Sequence, residues 1–168
     1  MNSEISEALE DYRAGKPIND VWYEHNGATS PLTNSSPTHR EELGKPCGIP
    51  SEIADTVIRI CDFCGHFGLQ LNSAEKSPLP GEDFEKALAW ASYDISRAFV
   101  AASKLEAQGL RLLDLDDGAK FDVSHALSCA AHRLLNMCEA NKIDLWKVIE
   151  IKAAYNKLRP NRHGGKAI

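Results

Sequence analysis

The pattern of apolar and polar positions around which the chain is organised begins at Ile49 and continues to Leu71. On a helix at about 100° per residue, its ionisable side chains fall in one stripe roughly 80° wide. They are Glu52, Asp55, Arg59, Asp62 and His66. Apolar residues cover nearly all of the remaining surface, whereas an ordinary surface helix has an apolar stripe beneath a broad polar face. The pattern therefore predicts a helix that is buried almost all round, with a thin line of charge along it.

Four other segments carry apolar residues at helical spacing, and they predict helices at residues 2–14, 84–108, 123–141 and 145–158. Asp144 is a suitable N-cap for the last of these. Pro50 suits the first turn of the central helix, because the N–H that proline lacks has no partner there. No alternation of period two stands out. The sequence thus predicts an all-α fold, a bundle of four or five helices.

A chain of 168 residues is long enough for one domain with a substantial core, so we expect a single helical domain over residues 1–168. The segment at about 26–48 is rich in Gly, Ser, Thr, Asn and Pro and shows little periodicity. We predict a long, mobile loop there. The C-terminal tail, residues 160–168, is polar.

Composition narrows the classes of function. With 43% hydrophobic and 26% charged residues, the chain is neither disordered nor membrane-spanning by composition. No apolar run approaches the length of a membrane helix, and the acidic N-terminus is unlike a signal peptide. The formal charge of -5 argues against general binding of nucleic acid. Five cysteines without a secretory context predict reduced thiols and a cytoplasmic location.

Two pairs of carboxylates have helical spacing of three residues, Glu4 with Glu7 and Glu52 with Asp55. Residues three apart on a helix have their Cβ atoms about 5–6 Å apart. Two such helices facing each other would bring four carboxylates together, and ligands that are all oxygen suit Mg²⁺ or Mn²⁺ rather than zinc. The simpler interpretation of the first pair is a solvated face of a terminal helix. That interpretation is weaker for the second pair, whose helix has so little polar surface.

The last predicted helix presents Lys152, Asn156 and Arg159 on one face, at spacings of four and three. Two exposed cations and an amide at this spacing suit a chain of phosphates, which arginine grips through two parallel hydrogen bonds. The simpler interpretation is a solvated helix end, where cations also interact favourably with the helix dipole.

Three of these segments together resemble the MazG-type nucleotide pyrophosphohydrolases. The resemblance rests on Glu4-x-x-Glu7, on Glu52-x-x-Asp55 and on the run from Lys152 through Tyr155, Asn156, Arg159, Arg162 and His163 to Lys166. In the family a further acid often opens the first motif, where this chain has Ser3, and the two acidic motifs lie closer together. The resemblance implies a MazG-like helical bundle, usually dimeric or higher, that hydrolyses nucleoside triphosphates to monophosphate and pyrophosphate using Mg²⁺.

By that resemblance, Glu4, Glu7, Glu52 and Asp55 are the catalytic and metal-binding residues, without a choice of general base among them. The substrate phosphates would be bound by Lys152, Asn156, Arg159, Arg162 and His163. The expected cofactor is Mg²⁺, with Mn²⁺ as a substitute, and the expected partners are the nucleotide and further copies of the chain in a dimer or tetramer, with no nucleic acid and no membrane. One alternative is a catalytically silent relative, a nucleotide-sensing or protein-interaction module. Another is a structural zinc protein that uses Cys61-x-x-Cys64 and Cys129-x-x-His132.

Overall fold

The computed structural model describes residues 1–25, 28–31, 44–72 and 83–158. This part of the chain contains five α-helices: α1 (Asn2–Arg13), α2 (Ile49–Phe67), α3 (Phe84–Ala107), α4 (Phe121–Ala140) and α5 (Leu145–Leu158). A single 3₁₀ turn, Leu112–Asp114, lies between α3 and α4. The prediction of an all-α bundle with four or five helices is confirmed, and each helix begins within two residues of its predicted start. In the described segments, no helix combines the length and apolar character needed to cross a membrane.

The helix ends follow from local sequence. Asp144 accepts a hydrogen bond from the backbone N–H of Lys147 at 3.2 Å, which confirms it as the N-cap of α5. The predicted continuation of α2 to Leu71 is wrong. Gly68 adopts the left-handed conformation (φ 62°, ψ 37°), and its N–H bonds to the carbonyl of Cys64. A glycine in this conformation ends a helix at little steric cost, so α2 stops at Phe67.

Helix α2 is the central element, because it contacts α1, α4 and α5 as well as a short strand. Its fully buried isoleucines pack in one core with leucines from α3 and α4. The largest of these side chains are Ile49, Ile53, Ile60, Leu88, Leu127 and Leu134. Each such side chain contributes about 1.5–3 kcal/mol by leaving water. The expected burial almost all round holds only for the first half of α2, since Cys61, Asp62, Gly65 and His66 are exposed.

A small antiparallel sheet accompanies the helices, and the sequence did not predict it. Its strands are β1 (Trp22–His25), β2 (Ala28–Pro31) and β3 (Lys45–Cys47), in the order β2-β1-β3. Both β2 and β3 lie inside the segment predicted as a loop, so that prediction is wrong for these seven residues. The rest of the predicted loop between them, and the polar tail, lie outside the described residues.

Gly48 makes the turn from β3 into α2. Its φ is +104°, and a Cβ atom there would lie 2.6 Å from the carbonyl oxygen of Asp20 and 2.7 Å from the ring of Trp22. Only glycine fits this combination of conformation and space. The turn therefore lets the ring of Trp22 lie directly against Gly48, at the start of α2.

Candidate active site

Helices α1 and α2 meet through charged side chains. Arg59 of α2 lies between two carboxylates: its Nη2 atom is 3.1 Å from Oε1 of Glu4 and 3.6 Å from Oδ2 of Asp55. Glu4 is buried against α2, and its second oxygen lies 2.7 Å from the amino group of Met1. Arg59 thus links Glu4 of the first acidic pair to Asp55 of the second, so the two pairs lie close together.

Hydrogen bonds set the direction in which the pKa of Glu4 is shifted. Burial by itself would raise the pKa of this carboxyl. Hydrogen bonds from the Met1 ammonium, from the backbone and from the hydroxyl of Ser3 outweigh that effect and lower the pKa to about 2. Glu4 therefore stays a carboxylate at neutral pH, which suits a charge partner or a ligand rather than a group that exchanges protons.

Glu52 pairs with a cation from the far end of the chain. Its Oε1 atom lies 3.7 Å from Nζ of Lys152, and both side chains are almost fully buried. The Lys152 ammonium also lies 3.1 Å from Oγ of Ser51 and 3.4 Å from the carbonyl oxygen of Pro46. Such partners are what a buried ammonium needs. The expectation that Lys152 is an exposed cation at a helix end is wrong, since only 3% of the residue is accessible.

The pKa of the Glu52 carboxyl is raised, and burial is the main cause. The ammonium groups of Lys152 and Lys45 act in the opposite direction. The like charges of Glu7 and Asp55 then raise the pKa further, which places all three carboxylates in one electrostatic neighbourhood. The raised pKa makes Glu52 a candidate for the carboxylate that accepts a proton.

Asp55 connects α2 with α5. Its Oδ1 atom accepts a hydrogen bond of 3.3 Å from Nδ2 of Asn156, across 101 positions of sequence. The structure therefore brings six predicted site residues to the first half of α2 and its neighbours. They are Glu4, Glu7, Glu52, Asp55, Lys152 and Asn156. The other three predicted phosphate-binding residues, Arg159, Arg162 and His163, lie outside the described residues.

The sheet completes the site with residues that the sequence analysis did not single out. A pocket of about 250 Å³ opens between α1, the sheet and the start of α2. Glu7 and Glu52 form part of its wall, and the sheet adds Trp22, Glu24, Lys45 and Cys47. Their meeting depends on strand pairing, in which Glu24 lies opposite Lys45 and Trp22 opposite Cys47. No periodicity in the sequence indicates that pairing.

Lys45 and Cys47 have different electrostatic roles in this pocket. Burial would lower the pKa of the Lys45 ammonium, but the surrounding acidic groups, Glu52 first, raise it, so Lys45 remains charged. Burial raises the pKa of the Cys47 thiol, and Glu24 and Glu52 add to that rise. A thiol must ionise to be a good nucleophile. Cys47 is therefore disfavoured as a nucleophile.

The fit of a metal ion to this site is mixed. The donors are carboxylate oxygens, the ligand type that Mg²⁺ and Mn²⁺ prefer. However, among the described residues no three His, Cys, Asp or Glu side chains are placed to hold one ion. Glu4, Asp55 and Glu52 instead face cations of the chain itself. The side chains as they stand therefore do not form a metal site, although their chemistry suits one.

The zinc alternative receives no support from the described helices. Cys61 and Cys64 belong to α2, whereas Cys129 and His132 belong to α4. Nδ1 of His132 lies 2.8 Å from the carbonyl oxygen of Ser128 in its own helix, and no three metal-binding side chains of the described segments are placed to hold one ion.

The site as a whole joins a buried carboxylate of raised pKa, a charged lysine at a pocket wall and two helices that fix them. This combination suits the activation of a water molecule beside an anionic substrate. Comparison of the chain with protein-family models, with curated proteins and with solved structures found no match.

Proposed function

We propose that this protein hydrolyses nucleoside triphosphates to nucleoside monophosphate and pyrophosphate, with Mg²⁺ as cofactor. One observation carries the proposal. The three segments on which the resemblance to MazG-type enzymes rests come together in space, through Arg59 between Glu4 and Asp55, Lys152 beside Glu52, and Asn156 on Asp55. Segments about 45 and 100 positions apart have no local reason to meet, so their convergence supports a shared site.

In the proposed reaction, Glu52 is the general base. Its raised pKa makes the carboxylate a better proton acceptor than an exposed glutamate, and it borders a pocket that water can enter. It would take a proton from the water that attacks the α-phosphorus. Lys152 holds Glu52 from the buried side, and it is too enclosed to contact substrate directly. Asn156 holds Asp55 in the same way from α5.

Lys45 is the cation best placed to contact substrate phosphate. It is exposed on β3, lines the same pocket as Glu52 and keeps its charge. An ammonium at this position would lower the cost of bringing a polyanion beside Glu7, Glu24 and Glu52. Mg²⁺, the cofactor that the resemblance implies, would supply charge neutralisation at the phosphate oxygens and would acidify the attacking water. With Glu52 acting as the base, Glu7 and Asp55 would be the carboxylates that hold it.

The test is release of pyrophosphate from a panel of ribo- and deoxynucleoside triphosphates, with and without Mg²⁺. We expect Mg²⁺-dependent release for at least one nucleotide, and a loss of 100-fold or more in kcat for Glu52→Gln, on the order of what a general base contributes. The matched control is Glu139→Gln, an exposed glutamate on α4, which should keep full activity. Near-normal turnover by Glu52→Gln at saturating Mg²⁺ would refute the assignment of the base.

A second candidate is a catalytically silent nucleotide-sensing or protein-interaction module. It is favoured by the internal pairing of Glu4, Glu52 and Asp55 with cations of the chain, which leaves no described group of three side chains ready for an ion. The same panel separates the two functions, because a silent module would bind a nucleotide without releasing pyrophosphate. The dimeric or tetrameric state and the cytoplasmic location remain predictions from the sequence.

A further inference from the structure

A cleft of about 540 Å³ lies between α3 and the start of α4, and it shares no lining residue with the candidate active site. Two cations of α3, Arg97 and Lys104, line it two helical turns apart. Tyr93, about half exposed, lies one turn before Arg97. Apolar side chains, among them those of Ala101, Leu105 and Val123, also line it. The volume falls within the range of about 300–1,000 Å³ that is usual for small-molecule sites.

The structure holds Arg97 in position for binding. Its Nη1 atom is 3.2 Å from Oδ1 of Asp94, a carboxylate that is only 4% accessible. Its guanidinium also lies over the ring of Tyr93, 5.9 Å from the ring centroid. Arg133 of α4 shares the same carboxylate at 3.8 Å, so two guanidinium groups surround one acid. A cation fixed in this way has less rotamer freedom to lose when an anion binds.

The rest of the cleft offers groups for the other parts of a ligand. The exposed ring of Tyr93 is a surface on which a planar ring can stack. Asp122, on the α4 side, accepts hydrogen bonds from N–H or O–H groups, and Ser96 and Gln108 both donate and accept them. The two cations belong to α3 and the carboxylate belongs to α4, so the cleft offers partners to a ligand that carries both an anionic group and donors.

We propose that this cleft binds an organic phosphate with a planar ring, of the size of a nucleoside monophosphate. The phosphate contacts Arg97 and Lys104 in charge-assisted hydrogen bonds, and the ring lies on Tyr93. Donor groups of the ring or sugar reach Asp122. The proposal does not depend on hydrolysis at the α1–α2–α5 site, because its test is binding.

Isothermal titration with adenosine 5′-monophosphate tests the proposal, with adenosine and inorganic phosphate as the two halves of the ligand. We expect saturable binding of the monophosphate, weaker binding of each half, and a rise in Kd of about tenfold or more for Lys104→Gln and for Tyr93→Ala. The control is Lys86→Gln. Lys86 is an exposed lysine on the same face of α3, five turns from Lys104 and outside the cleft, so its Kd should not change.

Three outcomes would overturn the proposal. If Lys86→Gln raised the Kd as much as Lys104→Gln, the monophosphate would be attracted by positive charge in general and not by the cleft. If only Glu52→Gln raised the Kd, the nucleotide would bind at the candidate active site. If no binding were detected at millimolar adenosine 5′-monophosphate, the cleft would not be a site for this ligand. Sedimentation velocity would then show whether a second copy of the chain covers it. Circular dichroism of each variant checks folding. Lys104 and Tyr93 are exposed, so both variants should fold, and Tyr93→Leu replaces Tyr93→Ala if that variant does not.

Discussion

Two buried carboxylates, Glu52 of α2 and Asp94 of α3, show how the same side-chain chemistry acquires different uses. About 5% of Glu52 and 4% of Asp94 is accessible. Burial is the main reason that the pKa of each is raised, and basic side chains oppose the rise in both cases. The two sites differ in the charged groups that surround each carboxylate and in how far the neighbouring cations are exposed to solvent.

At Glu52 the cation is enclosed and acids are in excess. Lys152 is buried on a backbone carbonyl and a serine hydroxyl, while Glu7 and Asp55 add like charge to the site. At Asp94 two guanidinium groups face one acid, and the side chain of Arg97 is 48% exposed. Burial and the like charges around Glu52 therefore favour the binding of a proton or a cation by this carboxylate. The arrangement at Asp94 leaves cations that are fixed by the interior yet available to an anion outside.

The largest effect on stability should come from Lys152→Ala. The change leaves Glu52 buried without its ammonium partner, and breaking a buried ion pair from one side costs about 3–5 kcal/mol. Urea denaturation gives the free energy of unfolding. Lys147→Ala, an exposed lysine on the same helix, is the control and should stay within about 0.5 kcal/mol of the unmodified protein. A similar small change for both variants would contradict the enclosed pair described above.

Asp94→Ala should have a smaller effect, about 1–3 kcal/mol. It removes the shared carboxylate, but Arg97 reaches solvent and its charge is less costly without a partner. Binding at the α3–α4 cleft should weaken as well, because the guanidinium of Arg97 loses its fixed position. Asp62→Asn, an exposed acid on α2, serves as the control. If Asp94→Ala lowered stability as much as Lys152→Ala, the contrast between the two sites would fail.

The third prediction concerns Glu4, whose pKa shift has the opposite direction. Its pKa falls from the ordinary 4.5 to about 2 on folding. Between these values the unfolded chain binds more protons than the folded one, so stability rises with pH. The contribution of Glu4 is thus complete above pH 4.5 and is lost as the pH falls towards 2. Glu52 and Asp94 have the opposite sign, since each binds its proton more tightly in the folded protein.

Urea denaturation across this range of pH, for the unmodified chain and for Glu4→Gln, measures that contribution. The variant should be less stable by about 1.5–3 kcal/mol at neutral pH, the usual value of a hydrogen bond to a charged group. Its loss of stability in acid should also be shallower. Parallel pH curves for the two proteins would show that Glu4 does not supply this pH dependence.

The sequence by itself determined the helices. Apolar residues at a spacing near 3.6 mark all five, because each helix must bury one face against its neighbours. Asp144 fixed the start of α5, since an N-cap acts within a single turn. The acidic pairs could be selected for the same reason: a spacing of three on one helix is local geometry. The end of α2 was missed although Gly68, which takes the left-handed conformation there, is a local helix-ending signal.

Only the tertiary structure decided how these elements meet. The three short strands pair through backbone groups, with Pro31 and Pro46 within them, so no side-chain pattern marks them. Lys152 looked like an exposed cation at a helix end, and its burial results from the packing of α5 against α2 and β3. The raised pKa of Glu52 and the fixed guanidinium of Arg97 likewise depend on residues distant in sequence. The ionisation of a side chain depends on its burial and on its charged and hydrogen-bonding neighbours, and these are set by packing between segments distant in sequence.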